Sequence, residues 1–256
     1  MYGLEGRKAI VTGAAQGIGR AIAARLLDEG CHVGILDLDG EGVERAAGEL
    51  GRGSGGCFAD AVDVADPTSV GRVLPAMAER LGGVDILVNN AGILKLASVQ
   101  EADLAGWRQI FSVNVEGMLL CSQALLPGMI ENGRGRIVNL ASWMGKQGVE
   151  NYGAYCASKA AAISLTQTLA LEVAPRGIHV NAVCPGVIVE TRMRAESDEE
   201  RLAKGMSKAD ERASSIPLRR VGRPQDVARI VAFLVSEEAT YMTGQAINVT
   251  GGMWMN

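Results

Sequence analysis

Tyr155 and Lys159 are spaced to meet. They lie four residues apart in a helical pattern running from about Gly153 to Ala174, just before Pro175, and so share one helix face. A tyrosine with its ordinary pKa of about 10 is a poor base near neutrality. A lysine charge beside it favours the phenolate. A fall of about two to three units needs roughly 3 to 4 kcal/mol of differential interaction. The chemistry of such a pair is proton transfer to and from an oxygen. Ser142, at the end of the strand-like run RIVNLAS, can hydrogen-bond the same oxygen as charge develops on it, or simply cap a helix. Asn114 falls inside the apolar helical pattern FSVNVEGMLL, where a poor helix former with a buried amide needs partners. A YxxxK spacing also occurs in exposed helical pairs, so these residues need a context.

A second group of residues supplies it. The run Thr12-Gly13-Ala14-Ala15-Gln16-Gly17-Ile18-Gly19 separates a strand pattern from a helix pattern. Its spacing is GxxxGxG rather than GxGxxG, but the physical requirement is the same: backbone close to a pyrophosphate held at a helix amino terminus. In the first strand–helix unit this points to a dinucleotide. Asp37 ends the second strand pattern, where a carboxylate accepts ribose hydroxyls and repels a 2′-phosphate. Leu38 follows it, and Gln16 leaves the loop without a basic side chain, so NAD is expected over NADP. The positive nicotinamide of NAD+ is expected to join Lys159 in favouring the Tyr155 phenolate.

The elements that must position these groups alternate along the chain. Strand patterns occur at Lys8 to Thr12, Val33 to Leu38, Ala59 to Val64, Val84 to Asn89, Arg136 to Leu140, His179 to Val183 and Ala246 to Val249. Helical patterns lie between them, the first from Gly17 to Glu29 and the second over roughly 41 to 50. Near-continuous apolar strands alternating with helices predict a parallel sheet covered on both faces. The expected fold is therefore a doubly wound, seven-stranded α/β (Rossmann) sheet, and residues 1–256 read as a single dinucleotide-binding domain. Two segments break the rhythm. Gly48 to Gly56 holds five glycines and reads as a surface loop. Residues 187–222 contain no strand pattern, and 192–212 carry six basic and six acidic side chains. Those residues read as a solvated helix pair or as a flap over a substrate.

Composition narrows the function classes. Glycine accounts for 33 of 256 residues without a Gly-X-Y period, and a net charge of -4 with few aromatics disfavours nucleic-acid binding. No apolar stretch approaching a membrane span and no signal-peptide h-region is read, so a cytoplasmic protein is expected. The cysteines Cys31, Cys57, Cys121, Cys156 and Cys184 form no CxxC, and there are two histidines, so no metal site is expected. The cysteines read as small, reduced core residues.

The motifs together resemble the short-chain dehydrogenase/reductase family over essentially the whole length. They are TGAAQGIG at 12–19, Asp63 with Val64, NNAG at 89–92, Asn114, Ser142, YCASK at 155–159 and PG at 185–186. The resemblance implies a nicotinamide cofactor, a small-molecule alcohol or ketone substrate and a homotetramer. It implies that Ser142 and Tyr155 hold the substrate oxygen, that Lys159 binds the nicotinamide ribose and that Asn114 holds a water leading to Lys159. By the same resemblance Asp63 and Val64 hold adenine, while Asn90, Ala91 and Gly92 pass the adenosine ribose. Pro185, Gly186 and Ile188 lie by the nicotinamide, and Asn89 stabilises the sheet. Thr191 comes one residue later after PG than the family spacing would place it.

The expected activity is therefore the NAD-dependent interconversion of a secondary alcohol and a ketone. The ending TGQAINVTGGMWMN and the polar flap loosely resemble members acting on sugar alcohols and sugar acids, so a polyol or sugar derivative is expected. Two alternatives remain. A 3-oxoacyl-[acyl-carrier-protein] reductase usually prefers NADPH, against which Asp37 counts. A non-catalytic dinucleotide-binding regulator would have no need of Asn114, Ser142, Tyr155 and Lys159.

Overall fold

Residues Lys8–Thr12 form the central strand β1 because both of its faces are covered. Ala9 and Val11 point to one layer of the core and Ile10 to the other, and all three are fully buried. The computed structural model describes residues 2–51, 56–203, 205, 207, 208 and 210–256. The other strands are β2 (His32–Asp37), β3 (Cys57–Ala61), β4 (Ile86–Asn89), β5 (Gly135–Leu140), β6 (Ile178–Pro185) and β7 (Ala246–Val249). They form one parallel sheet in the order β3-β2-β1-β4-β5-β6-β7. The helices α1 (Gly17–Asp28), α2 (Gly40–Leu50) and α8 (Pro224–Leu234) bury apolar side chains in one layer. In the other layer lie α3 (Pro67–Leu81), α5 (Gly117–Glu131) and part of α6 (Gly153–Val173). The chain order reverses between β1 and β4, where a doubly wound sheet opens its crevice.

The boundaries depart from the sequence reading where polar side chains intervene. β3 stops at Ala61, not Val64, because the backbone turns. Asp63 N–H donates to Ser69 Oγ, and Asp63 Oδ1 accepts from Ala65 N at 2.9 Å. β4 begins at Ile86 rather than Val84. α6 ends at Val173, and Pro175 sits within a following 3-10 turn, Ala174–Arg176. In the glycine-rich stretch, α2 continues to Leu50, and residues 52–55 lie outside the described residues.

Between α4 (Leu104–Phe111) and α5 the chain makes one π-helical turn, Ser112–Glu116. The whole run Leu104–Glu131 is long and apolar enough to cross a membrane by length and composition, against the expectation that no such stretch exists. It packs on α3 and the sheet through buried Cys121, Leu125 and Met129. The long segment after β6 forms α7 (Arg192–Ala203) and a 3-10 turn, Asp210–Ser215, with 204, 206 and 209 outside the described residues. Its two ends are tied together: Val189 N donates to Gly222 O at 3.0 Å and Gly222 N to Val187 O at 2.8 Å.

All five cysteines are free, four of them buried, and burial pushes the Cys31 and Cys121 thiols up to about 12. Among the described residues no cluster of metal-ligating side chains occurs.

Polar side chains buried beneath β4 and β5 form a linked set. Asn89 Nδ2 donates to Asn139 Oδ1 at 2.9 Å and to Ser122 Oγ at 3.2 Å, and Asn139 Nδ2 donates to Thr166 Oγ1 at 2.9 Å. This bears out Asn89 as a sheet-stabilising residue. Asn139→Ala breaks two of these bonds and orphans their partners. A loss of about 2–4 kcal/mol is expected, measured as a lower urea midpoint in equilibrium unfolding.

Candidate active site

The carboxyl ends of β1, β2, β4, β5 and β6 border one cleft of about 560 Å³. Its first half is backbone. Gly13 and Gly17 adopt φ of +63° and +57°, a region that side-chain-bearing residues rarely occupy. The loop is clamped from the neighbouring strand. Asn90 Nδ2 donates to Thr12 O and Gly13 O, while Thr12 Oγ1 accepts from Asn90 N and Ala91 N. Asp37 fastens the other side, accepting from Ala15 N at 3.0 Å and Asp39 N at 3.1 Å. Unlike α2, α3 and α4, which begin with capping aspartates, α1 has no side-chain cap. Its first-turn N–H groups are thereby left to an anion.

Of the residues assigned to the dinucleotide, Gly13, Gln16, Gly17, Ile18, Asp37, Asp63, Val64, Asn90, Ala91, Gly92, Pro185, Gly186 and Ile188 line this cleft. Gly19 does not. It is buried under the loop, where a Cβ would overlap the Gly13 carbonyl oxygen, so it serves close packing of α1 rather than contact. Thr191 also lines the cleft. Its Oγ1 accepts from Arg194 N, capping the start of α7, and its methyl group covers Gly17. Glycine backbone, an uncapped helix start and a strand-end carboxylate without an ion pair among the described residues fit a nicotinamide dinucleotide.

The second half of the cleft holds the side chains that could move a proton. Ser142 follows β5 and accepts from Met144 N at 3.2 Å, so it also caps the short turn Trp143–Gly145. That turn packs directly on α6: a Cβ on Gly145 would lie 2.6 Å from the Lys159 backbone. Tyr155 and Lys159 are buried on the facing side of α6, with Lys159 Nζ 5.7 Å from the Tyr155 ring centre. Lys159 Nζ donates to Leu140 O at 2.6 Å.

Asn114 is buried behind them and does not line the cleft. The π turn places its amide so that Oδ1 accepts from Ile93 N at 2.8 Å while Nδ2 donates to Ile93 O and to Ser158 Oγ. A Cβ on Gly92 would lie 3.2 Å from Asn114 Oδ1 and 3.5 Å from Lys159 Nζ, so both groups face this glycine.

Burial pushes the Tyr155 phenol up to about 12; the Ser142 hydroxyl and the positive charge of Arg194 pull it back only in part. Lys159, also buried, is pushed down to about 8. Desolvation is the largest influence on both groups and moves each toward its neutral form.

Sequence reading missed several contributors. Thr12 and Ser158 act through hydrogen bonds, and their neighbours in TGAAQGIG and YCASK were the only signal. Tyr152, whose hydroxyl lies 3.4 Å from Ser197 Oγ, and Arg194 belong to contacts with α7 that no motif marks.

Comparison with known proteins agrees with this geometry. Residues 13–254 match a family described as enoyl-(acyl carrier protein) reductase. A sorbitol dehydrogenase of Cereibacter sphaeroides is 40% identical over 99% of both chains. A 3-oxoacyl-[acyl-carrier-protein] reductase of Vibrio cholerae is 39% identical over 98% of this chain and 99% of its own. A crystal structure from Beutenbergia cavernae, described as a candidate NAD(P)-dependent gluconate 5-dehydrogenase with NADP bound at low occupancy, superposes with a TM-score of 0.88. It is 39% identical, over 98% of each chain.

The buried phenol makes a spectroscopic prediction. In the cofactor-free protein, the absorbance difference at 295 nm between wild type and Tyr155→Phe should show no phenolate step below about pH 10. A step between pH 7 and 9 would contradict the dominance of desolvation.

Proposed function

The chain belongs to the short-chain dehydrogenase/reductase family and is an oxidoreductase of the CH–OH group; we propose that it uses NAD, takes its proton through Tyr155 and acts on a polyol or sugar derivative. The observation that carries the reading is the meeting of Ser142, Tyr155 and Lys159 at the end of a cleft whose other half is a glycine loop. When bound, an oxidised nicotinamide would supply the acceptor for the hydride of the carbinol carbon. Tyr155 receives the hydroxyl proton as the carbonyl forms, or returns it in ketone reduction. Ser142 hydrogen-bonds the same oxygen as its charge changes.

Lys159 uses one of its three donors on Leu140 O, which leaves two for ribose hydroxyls. Its charge, with that of an oxidised nicotinamide when bound, would join Ser142 and Arg194 in lowering the phenol from about 12. Asn114 has both ends of its amide engaged, so it acts by positioning Ile93 and α6 and by borders with Gly92, beside which a water could link it to Lys159.

The preference for NAD rests on Asp37. Two of its roughly four lone-pair sites take loop N–H groups, and the rest remain for ribose hydroxyls. No cation pairs with it among the described residues to receive a 2′-phosphate. The Beutenbergia cavernae relative carries NADP, so the wider statement is a nicotinamide dinucleotide and the narrower one is this proposal. The sorbitol and gluconate dehydrogenases among the relatives support a polyol or sugar acid. The Vibrio cholerae relative supports the second reading, a 3-oxoacyl-[acyl-carrier-protein] reductase. A homotetramer is further supported by apolar side chains left exposed on α5 and α6, Leu119 and Leu171. A cytoplasmic setting is supported by five unpaired cysteines.

NADH absorbance with a panel of polyols, sugar acids and 3-hydroxyacyl esters separates the two substrate readings. Tyr155→Phe should lower kcat by about a hundredfold or more with NADH binding nearly unchanged. Retained turnover refutes the acid/base role. A kcat/KM for NAD+ above that for NADP+ by roughly tenfold is expected, and Asp37→Ala should shrink the gap; an NADP+ preference in the wild type sinks the NAD proposal.

A further inference from the structure

Among the described residues, Arg194 is the charged side chain at the substrate end of the cleft whose buried side-chain nitrogens find no hydrogen-bond partner. Its Nε and Nη1 are shielded from solvent and donate to nothing. Its ion-pair partner, Asp198 Oδ1, stands 3.8 Å from Nη1, beyond hydrogen-bond reach. The other charged groups around the substrate end are already engaged. Arg192 faces Glu196 at 3.4 Å, Lys95 faces Asp103 at 3.4 Å, and Glu200 Oε2 accepts from Leu96 N at 3.2 Å. A guanidinium with two dry, unpaired donors is costly unless something fills them.

α7 holds this side chain in place from both sides. Glu200 ties the helix to Leu96, and Arg201 Nη1 donates to Tyr152 Oη at 3.3 Å, beside Ser197. Thr191 fixes the first turn through Arg194 N. Arg194 therefore faces the same cavity as Ser142 and Tyr155, and its charge is felt at the Tyr155 phenol.

We propose that Arg194 is the receptor for a carboxylate on the substrate, so that the alcohol oxidised or ketone reduced is a hydroxy- or oxo-acid rather than a neutral polyol. A guanidinium that lines the cavity and whose carboxylate partner stands off at 3.8 Å suits a substrate carboxylate, whose two oxygens match its planar fork as they cannot match a lysine. The inference rests on the oxidoreductase reading and narrows its substrate class.

The test is titration calorimetry of the NADH-loaded protein with two matched pairs: D-gluconate against sorbitol, and 3-hydroxybutyrate against its methyl ester. At least one acid should bind about tenfold or more tightly than its neutral partner. Arg194→Gln should bring that pair to within roughly twofold, and Arg194→Lys should restore part of the difference. Unchanged NADH affinity in both variants reports an intact fold. Neutral partners that bind as tightly as the acids in the wild type overturn the proposal, as does the absence of acid binding or an acid preference surviving Arg194→Gln. Turnover of neutral alcohols alone would overturn it while leaving the oxidoreductase reading standing. Absence of any alcohol turnover would strike that reading instead, with the binding contrast still deciding the role of Arg194.

Discussion

A charge held out of water organises this site. Lys159 lies inside the protein, and its ammonium bonds the carbonyl of Leu140 at the last residue of β5. That bond fixes α6 against the carboxyl edge of the sheet, and the neighbouring geometry is built to permit it. Gly145 lets the turn after β5 touch the α6 backbone, and Gly92 leaves room for Lys159 and Asn114. The π turn aims the Asn114 amide at Ile93 and Ser158. Each of these adjustments is a local departure from regular structure, and each serves to seat buried polar groups with partners.

The layers were legible because their signal is redundant. Seven apolar runs separated by helical patterns leave few arrangements, and strand ends missed by two or three residues do not alter the sheet order. The side chains brought to the cleft were legible for a different reason: Gly13, Asp37, Ser142, Tyr155 and Lys159 stand at strand ends or one helical turn apart, in motifs whose joint order along the chain supplies the context that spacing alone lacks. What the sequence hid depends on desolvation or on distant packing. Burial of Tyr155 reverses the direction a neighbouring lysine suggests. Gly19 looks like its companions in the loop but packs beneath them. Asn114 in a regular helix would point elsewhere; nothing in FSVNVEGMLL announces an extra residue in the turn.

The segment after β6 is the clearest case. Its balanced charges read equally well as a solvated helix pair or as a flap. The structure gives it a neck, where Val187, Val189 and Gly222 exchange backbone bonds, and a helix whose polar residues reach Leu96 and Tyr152. Among its charged side chains, Arg192 pairs with Glu196 and Arg194 with Asp198 along the helix, while Glu200 and Arg201 reach across to Leu96 and Tyr152. Composition cannot draw that division, because it depends on which face of α7 meets the body of the protein.

Asn90 has a consequence of its own. At the point where β1 and β4 part, its amide bonds two successive carbonyls of the glycine loop, and Thr12 answers with bonds to the backbone at positions 90 and 91. The amide thus works as a gauge block between two strands whose following helices pull to opposite sides. The width of the crevice is set during folding, so the entropy of ordering the loop is lost once per molecule made rather than at every encounter with a ligand.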